Sequence, residues 1–288
     1  MKKISKAVFP VGGMGTRFLP ATKSIPKELL PIIDKPLIQY AVEEALEAGI
    51  TTLIFITSAS KHAISDHFDP MPDLRKQFID QGKVELAKKL DTLPIEIQRV
   101  FIPQGQPLGL GHAVLQAENL IEENEMFAVL LADDFIQAEH NPLTRLINAA
   151  QTNRSSTISV EHVADNRLSS YGVIAPENWQ SDLCTVNNIV EKPKPHSAPS
   201  NFGVIGRYVL SPAVFAKLRQ TKMDNNQEIQ LTDALKDLIQ SDGLQAVKLS
   251  GQRFDCGSQE GFVMANLHVA MKNKELKEMI QAYLANCE

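Results

Sequence analysis

Gly12-Gly13-Met14-Gly15-Thr16-Arg17 follows an apolar run, Ala7-Val8-Phe9-Pro10-Val11. Glycines let backbone N–H groups approach an anion with no Cβ in the way. The Arg17 guanidinium adds a fixed fork of donors that matches phosphate oxygens. A basic Gly-rich turn straight after a buried strand therefore predicts a phosphate-handling loop. A dinucleotide fingerprint begun at Gly13 would need a third glycine where Phe18 stands. A Walker loop begun at Gly12 would need glycine at Arg17, then lysine. Neither common kind fits. The plainer alternative is a tight turn with positive φ at a glycine.

Further along, Asp133-Asp134 follows the apolar run Phe127–Leu131. A carboxylate at the end of a central strand can hold Mg²⁺ against phosphate oxygens, although Asp also favours plain turns. Asp255, in Arg253-Phe254-Asp255-Cys256-Gly257, is either a second ligand for the same metal or an N-cap of the helix that follows. Glu191-Lys192-Pro193 ends another apolar run. Glu191 can accept hydrogen bonds from sugar hydroxyls, and Lys192 can bind a phosphate as a point charge. Pro193 predicts an extended backbone at Lys192. The amide of Gln104 suits the edge of a nucleobase, and Gly109-Leu110-Gly111-His112 suits close backbone approach before a helix. The histidines form no metal-ligand spacing, and no Ser/His/Asp or Cys/His triad stands out.

These residues need strands and helices to hold them. Apolar, β-branched runs predict strands at Lys6–Val11, Thr52–Thr57, Ile95–Ile102, Phe127–Leu131 and Thr157–His162. Leu37, Ile38, Ala41, Val42, Ala45 and Leu46 mark one helical face, closed by Gly49, and Leu143, Leu146 and Ile147 mark another. Alternation of strand and helix predicts an α/β fold: a Rossmann-like, mostly parallel central sheet with helices on both faces. Such sheets bind ligands beyond the carboxyl ends of their strands. From Val11 to Leu37 runs a connection of about 25 residues, where about two to six is usual, so it is expected to be functional. Its cations, Arg17, Lys23, Lys27 and Lys35, outnumber Glu28 and Asp34. Shorter strands are expected at Tyr171–Ile174, Thr185–Glu191 and Gly203–Leu210, interrupted by Pro193, Pro195 and Pro199. Ser258 to Cys287 is helical in pattern. With no linker visible, 1–288 reads as one domain. Its nucleotide-binding part is about 5–165, its sugar- or acceptor-binding part about 166–257, and its C-terminal helical extension about 258–288.

The chain has 288 residues, 43% hydrophobic and 22% charged, with a formal net charge of −5. That balance argues against nucleic acid or an acidic membrane as partner. No apolar run approaches the roughly 20 residues of a membrane span, and no secretory h-region follows the basic N-terminus. Cys184, Cys256 and Cys287 are few, odd in number and without metal spacing, which reads as reduced thiols in a cytoplasmic protein.

Together these segments closely resemble the bacterial UTP–glucose-1-phosphate uridylyltransferases, also called UDP-glucose pyrophosphorylases. Gly12 to Tyr40 carries most of the resemblance, especially Phe18 to Glu28 and Asp34 to Tyr40. Gly109–Val114, Glu191–Lys194, Val204–Leu210, Glu228–Ala234 and Asp255–Gly257 follow in order, so about residues 5 to 270 are covered. The resemblance implies a nucleotidyltransferase that joins UTP and glucose 1-phosphate into UDP-glucose and pyrophosphate. It implies that Gly12, Gly13, Glu28, Gln104 and Gly109 hold uracil and ribose, and that Arg17 and Lys27 contact the triphosphate. Gly172, Glu191 and Val204 would contact glucose hydroxyls, Lys192 its phosphate, and Asp133 and Asp255 the Mg²⁺. A homodimer or homotetramer is implied, with the C-terminal helices at the interface. Gly13, Pro103 and Ala132 depart from the family's usual Ala, Arg and Pro without removing a proposed ligand. Two rivals stay open. A glucose-1-phosphate thymidylyltransferase would run the same chemistry on another base, but Ile25-Pro26-Lys27-Glu28 favours the uridylyl branch. A non-catalytic regulatory relative would be expected to lose phosphate ligands that are present here.

Overall fold

The computed structural model describes residues 2–286. Cys287 lies outside them. The strands are β1 (Lys6–Pro10), β2 (Pro31–Ile32), β3 (Lys35–Pro36), β4 (Thr52–Thr57), β5 (Gln98–Pro103), β6 (Phe127–Leu130), β7 (Asp134–Gln137), β8 (Ser156–His162), β9 (Gly172–Gln180), β10 (Leu183–Glu191), β11 (Phe202–Leu210), β12 (Leu244–Lys248) and β13 (Gln252–Asp255). The helices are α1 (Leu37–Glu47), α2 (His62–His67), α3 (Pro72–Asp80), α4 (Val84–Lys89), α5 (Leu110–Leu115), α6 (Pro142–Asn153), α7 (Ala213–Gln220), α8 (Leu231–Asp242), α9 (Gln259–Ala270) and α10 (Lys274–Ala285).

Nine strands form the main sheet in the order β5-β4-β1-β6-β11-β8-β12-β10-β9. Side chains alternate across a strand, so a strand apolar at every position must be covered on both faces. That is what β1, β4 and β6 do. Val8, Ile54, Ile56, Phe127 and Val129 enter one core with residues of α5, α7 and α8. Ala7, Phe9, Leu53, Phe55, Ala128 and Leu130 enter the other, with residues of α1 and α6. Gly49, at φ 86°, closes α1: its N–H donates to Leu46 O and that of Ile50 to Ala45 O, the pairing that satisfies orphan carbonyls at a helix end.

The sheet is mixed rather than mostly parallel. β5, β4, β1 and β6 are parallel neighbours. β11 then runs antiparallel to β6, β8 and β9, and β10 antiparallel to β12 and β9. Connection length accounts for the β9–β10 pair: only Ser181 and Asp182 separate the two strands, so their link is not the helical crossover that a parallel pair needs. The strands after residue 165 are also longer than expected: β9, β10 and β11 have nine residues each. Pro193, Pro195 and Pro199 fall between β10 and β11, where the expected strand bounds leave them. Among the described residues no helix is long and apolar enough to cross a membrane. Cys184 and Cys256 are buried free thiols.

Candidate active site

β1 delivers the Gly-rich loop to the carboxyl edge of the sheet, where Val11 N–H donates to Ile56 O of β4 at 2.8 Å. The loop needs glycine for two different reasons. Gly15 has φ 65°, a left-handed conformation that glycine adopts without strain, and its carbonyl accepts from Thr22 Oγ1 at 2.7 Å. A Cβ on Gly12 would stand 2.6 Å from Gln104 Oε1, so there the absence of a side chain lets the loop meet Gln104. Gln104 is buried, with Nε2 3.0 Å from His112 Nδ1. Gly109 caps α5 at φ 94°.

Lys27 and Glu28 arrive on a short 3₁₀ turn of the long connection. Lys27 Nζ pairs with Asp133 Oδ2 at 2.5 Å. Burial works against the Lys27 charge, but Asp133 and Glu28 outweigh it and hold the ammonium above its ordinary value. Burial likewise works against the Asp133 carboxylate, and Lys27 with Arg17 still holds it below the usual aspartate range. Both are charged at neutral pH. Glu28, 2% exposed, pairs with Lys61 Nζ at 2.8 Å, and the same ammonium donates to Val11 O at 2.7 Å. Burial pushes Glu28 up and Lys61 down, and their pairing offsets this.

Asp133 follows β6, and Asp255 ends β13, the strand that pairs with β7. Cys256 N–H donates to Asp133 O at 2.8 Å, tying the two segments together. Asp255 Oδ1 and Asp133 Oδ2 lie 3.0 and 3.2 Å from the point where Gly257 would carry a Cβ, so the two carboxylates face one spot. Asp255 does not cap the helix; Ser258 does, accepting from Gly261 N–H. Burial and then Asp134 raise the Asp255 carboxyl above its usual range. Among the described residues no group of three or more His, Cys, Asp or Glu side chains is placed to hold a metal by itself. Two hard carboxylates sharing one spot, with phosphate oxygens and water completing the shell, is the donor set that suits Mg²⁺.

On the opposite wall, a Cβ on Gly172 would meet Thr232 Oγ1 at 3.0 Å and Glu191 Oε2 at 3.4 Å. Lys192 is not extended, as its following proline predicts. Its φ is 45°, and its N–H donates to Tyr171 O at 2.9 Å while Nζ pairs with Glu191 Oε1 at 3.0 Å. A tertiary hydrogen bond has overridden the local preference. Val204 is buried on β11.

Gly12, Gly13, Arg17, Lys27, Glu28, Gln104, Gly109, Asp133, Asp255, Gly172, Glu191, Lys192 and Val204 all line one cavity of about 580 Å³. Sequence reasoning missed Tyr171, Thr232 and Arg253, which line it too. Their stretches were visible, but nothing in residue type says that a tyrosine just before a strand or an arginine on one faces a cavity. Lys61, which pairs with Glu28 from the start of a helix 33 residues on, left no signal either. The arrangement offers fixed cations, two carboxylates and a polar pocket, which is equipment for moving a phosphoryl-linked group.

The profile of the nucleotidyl transferase family matches residues 6–272. A UTP–glucose-1-phosphate uridylyltransferase of Bacillus subtilis is 44% identical over 284 residues, 99% of this chain and 97% of that protein. A solved structure described as UTP-bound UGPase from Acinetobacter baumannii superposes with a TM-score of 0.89 at 37% identity, covering 99% of this chain and 100% of that one. A UDP-glucose pyrophosphorylase complexed with UDP-glucose gives 0.84 at 40%, covering 94% and 100%. With its cavity equipped for phosphates and its whole length matched, this chain belongs to the nucleotidyl transferase family.

Proposed function

We propose that the chain is a UTP–glucose-1-phosphate uridylyltransferase, transferring the uridylyl group of UTP to glucose 1-phosphate and releasing pyrophosphate. The observation that carries this is that Lys27, Arg17, Lys192, Asp133 and Asp255, from distant parts of the chain, all line one cavity. Full-length similarity to proteins named for this activity supports it, as does a relative solved with UDP-glucose.

The nucleotide side, about residues 5–165, receives UTP. Backbone at Gly12, Gly13 and Gly109 and the side chains of Gln104 and Glu28 hold base and ribose. The sugar side, about 166–257, receives glucose 1-phosphate, with Gly172, Glu191 and Val204 against its hydroxyls and Lys192 on its phosphate. A phosphate oxygen of the sugar attacks the α-phosphorus in line, and pyrophosphate leaves. Such a transfer needs positioning and charge neutralisation more than a protein nucleophile. Lys192 orients the attacking phosphate. Arg17 and Lys27 meet the charge that builds on the leaving group. Lys27 therefore exchanges Asp133 for phosphate oxygens during turnover. Asp133 and Asp255 would hold Mg²⁺, which when bound supplies Lewis-acid charge neutralisation between the reacting phosphates.

Two buried thiols without a disulfide fit a reducing, cytoplasmic setting. Exposed Val263, Met264 and Leu267 on α9, and Met279, Tyr283 and Leu284 on α10, fit a homodimer or homotetramer. The function is tested by incubating the protein with UTP, glucose 1-phosphate and Mg²⁺ and separating the products. UDP-glucose and pyrophosphate are expected in equal amounts. Pyrophosphate formed from UTP without the sugar phosphate, or preferential use of dTTP, contradicts the assignment.

A further inference from the structure

Tyr171 joins parts of the cavity that are far apart in sequence. Its carbonyl accepts the N–H of Lys192 at 2.9 Å and so helps hold that residue at φ 45°. Gly172, the next residue, faces Thr232 and Glu191. The Tyr171 hydroxyl accepts from Arg253 Nη2 at 2.7 Å and from Arg167 Nη2 at 3.2 Å. The two guanidiniums also lie 5.2 and 6.0 Å from the ring centroid. Each arginine then reaches a carboxylate, Arg253 those of Asp134 and Glu161 and Arg167 that of Asp255. Arg253 bonds Asp134 through Nη1 and Glu161 through Nε, the latter at 2.7 Å, and Arg167 Nη2 stands 3.7 Å from Asp255 Oδ2. Tyr171 is 9% exposed and the Arg253 side chain 4%.

A guanidinium is planar, with donors in a fixed fork, so the position of one partner constrains the others. Hydrogen bonds from charged donors are also about twice as strong as neutral ones. The Tyr171 hydroxyl thus sits where two such forks converge. The backbone of Tyr171 is bonded to Lys192 of the wall assigned to the sugar phosphate, and its hydroxyl is linked through Arg167 to Asp255 of the carboxylate pair.

We propose that Tyr171 is a positioning residue for the sugar phosphate: held by Arg253 and Arg167, its hydroxyl registers the Gly172–Lys192 wall against the Asp133–Asp255 carboxylate pair. The inference rests on the uridylyltransferase reading of the cavity. Tyr171→Phe keeps the ring and removes the acceptor. Titration calorimetry of the full chain with UDP-glucose and, separately, with UTP reads the effect, alongside the KM of each substrate. In Tyr171→Phe the affinity for UDP-glucose is expected to fall about tenfold and the KM for glucose 1-phosphate to rise similarly. UTP affinity and UTP KM should stay within about twofold. Arg253→Lys, which keeps the charge and loses the fork, should shift the same two quantities in the same direction. Unchanged UDP-glucose affinity in Tyr171→Phe overturns the inference. So does an equal loss for UTP and UDP-glucose, which a merely structural role would produce. Failure of the wild-type protein to bind UDP-glucose removes the underlying reading instead, and shows itself before any variant is made.

Discussion

Lys27 illustrates how one side chain serves both the fold and the chemistry. It is held against Asp133 at 2.5 Å by a connection whose length, rather than any periodicity, marked it in the sequence. Lys27→Met leaves half-buried Asp133 without its partner and removes the cation proposed to meet the leaving group. Turnover should fall by about a hundredfold or more, read as pyrophosphate release at saturating substrates. Gly12→Ala acts differently. Its Cβ would displace the Gln104 amide 2.6 Å away, so the expected result is a several-fold rise in the KM for UTP with kcat nearly kept. His67 gives a pH prediction of its own. Burial lowers its pKa from 6.5, while its ring contacts Gln39 Oε1 at 3.0 Å. The unfolded chain therefore binds more protons there, and the stability from His67 is present above pH 6.5 and lost as pH falls below it. Denaturant titrations between about pH 7 and pH 5.5 should show a shallower loss for His67→Gln than for the wild-type protein.

At the scale of elements, most strand bounds were legible, with β8, β10 and β11 within two residues of the expected spans, whereas the length of β9 and the strand directions were not. β1, β4 and β6 are covered on both faces and read as continuous apolar runs, and the strand at Thr52–Thr57 was bounded to the residue. β9 is buried from Gly172 to Ile174 and largely exposed towards its end. Its apolar residues give way to Pro176-Glu177-Asn178, which carry no sign that the strand continues. Strand direction was invisible as well, because residue types do not record whether a link returns through a helix. The candidate site was more legible than the topology. Phosphate and metal chemistry restrict residue type sharply, whereas Tyr171, Thr232 and Arg253 owe their place to pairings such as Arg253 with Ile136 across β13 and β7. The link between α5 and the start of α8 is similarly specific. Gly111 N–H donates to Ile229 O at 2.8 Å, and a Cβ on Gly111 would lie 2.8 Å from that same oxygen. Gly111→Ala should destabilise the fold by about 1–3 kcal/mol, measured as a lower denaturation midpoint.

For the molecule as a whole, the mixed sheet has a functional consequence. β11 lies between β6 and β8, so Val204 on β11 and the carboxylate after β6 belong to neighbouring parts of one rim. The proposed nucleotide and sugar sides would meet at that rim. Beyond the sheet, α10 has no buried residue although Met279, Tyr283 and Leu284 are exposed apolar groups. Light scattering should find a dimer or tetramer, and Leu267→Glu with Met279→Glu should shift it to monomer while the wild-type oligomer persists on dilution. In the proposed transfer of a uridylyl group to glucose 1-phosphate, Asp133 is indispensable. Pyrophosphate release from UTP, glucose 1-phosphate and Mg²⁺ is therefore to be compared between the wild-type protein and Asp133→Asn. Sugar-dependent release is expected of the wild-type protein, with a loss of about a thousandfold in a folded Asp133→Asn. Near-normal release by that variant, or none by the wild-type protein, would contradict the proposal.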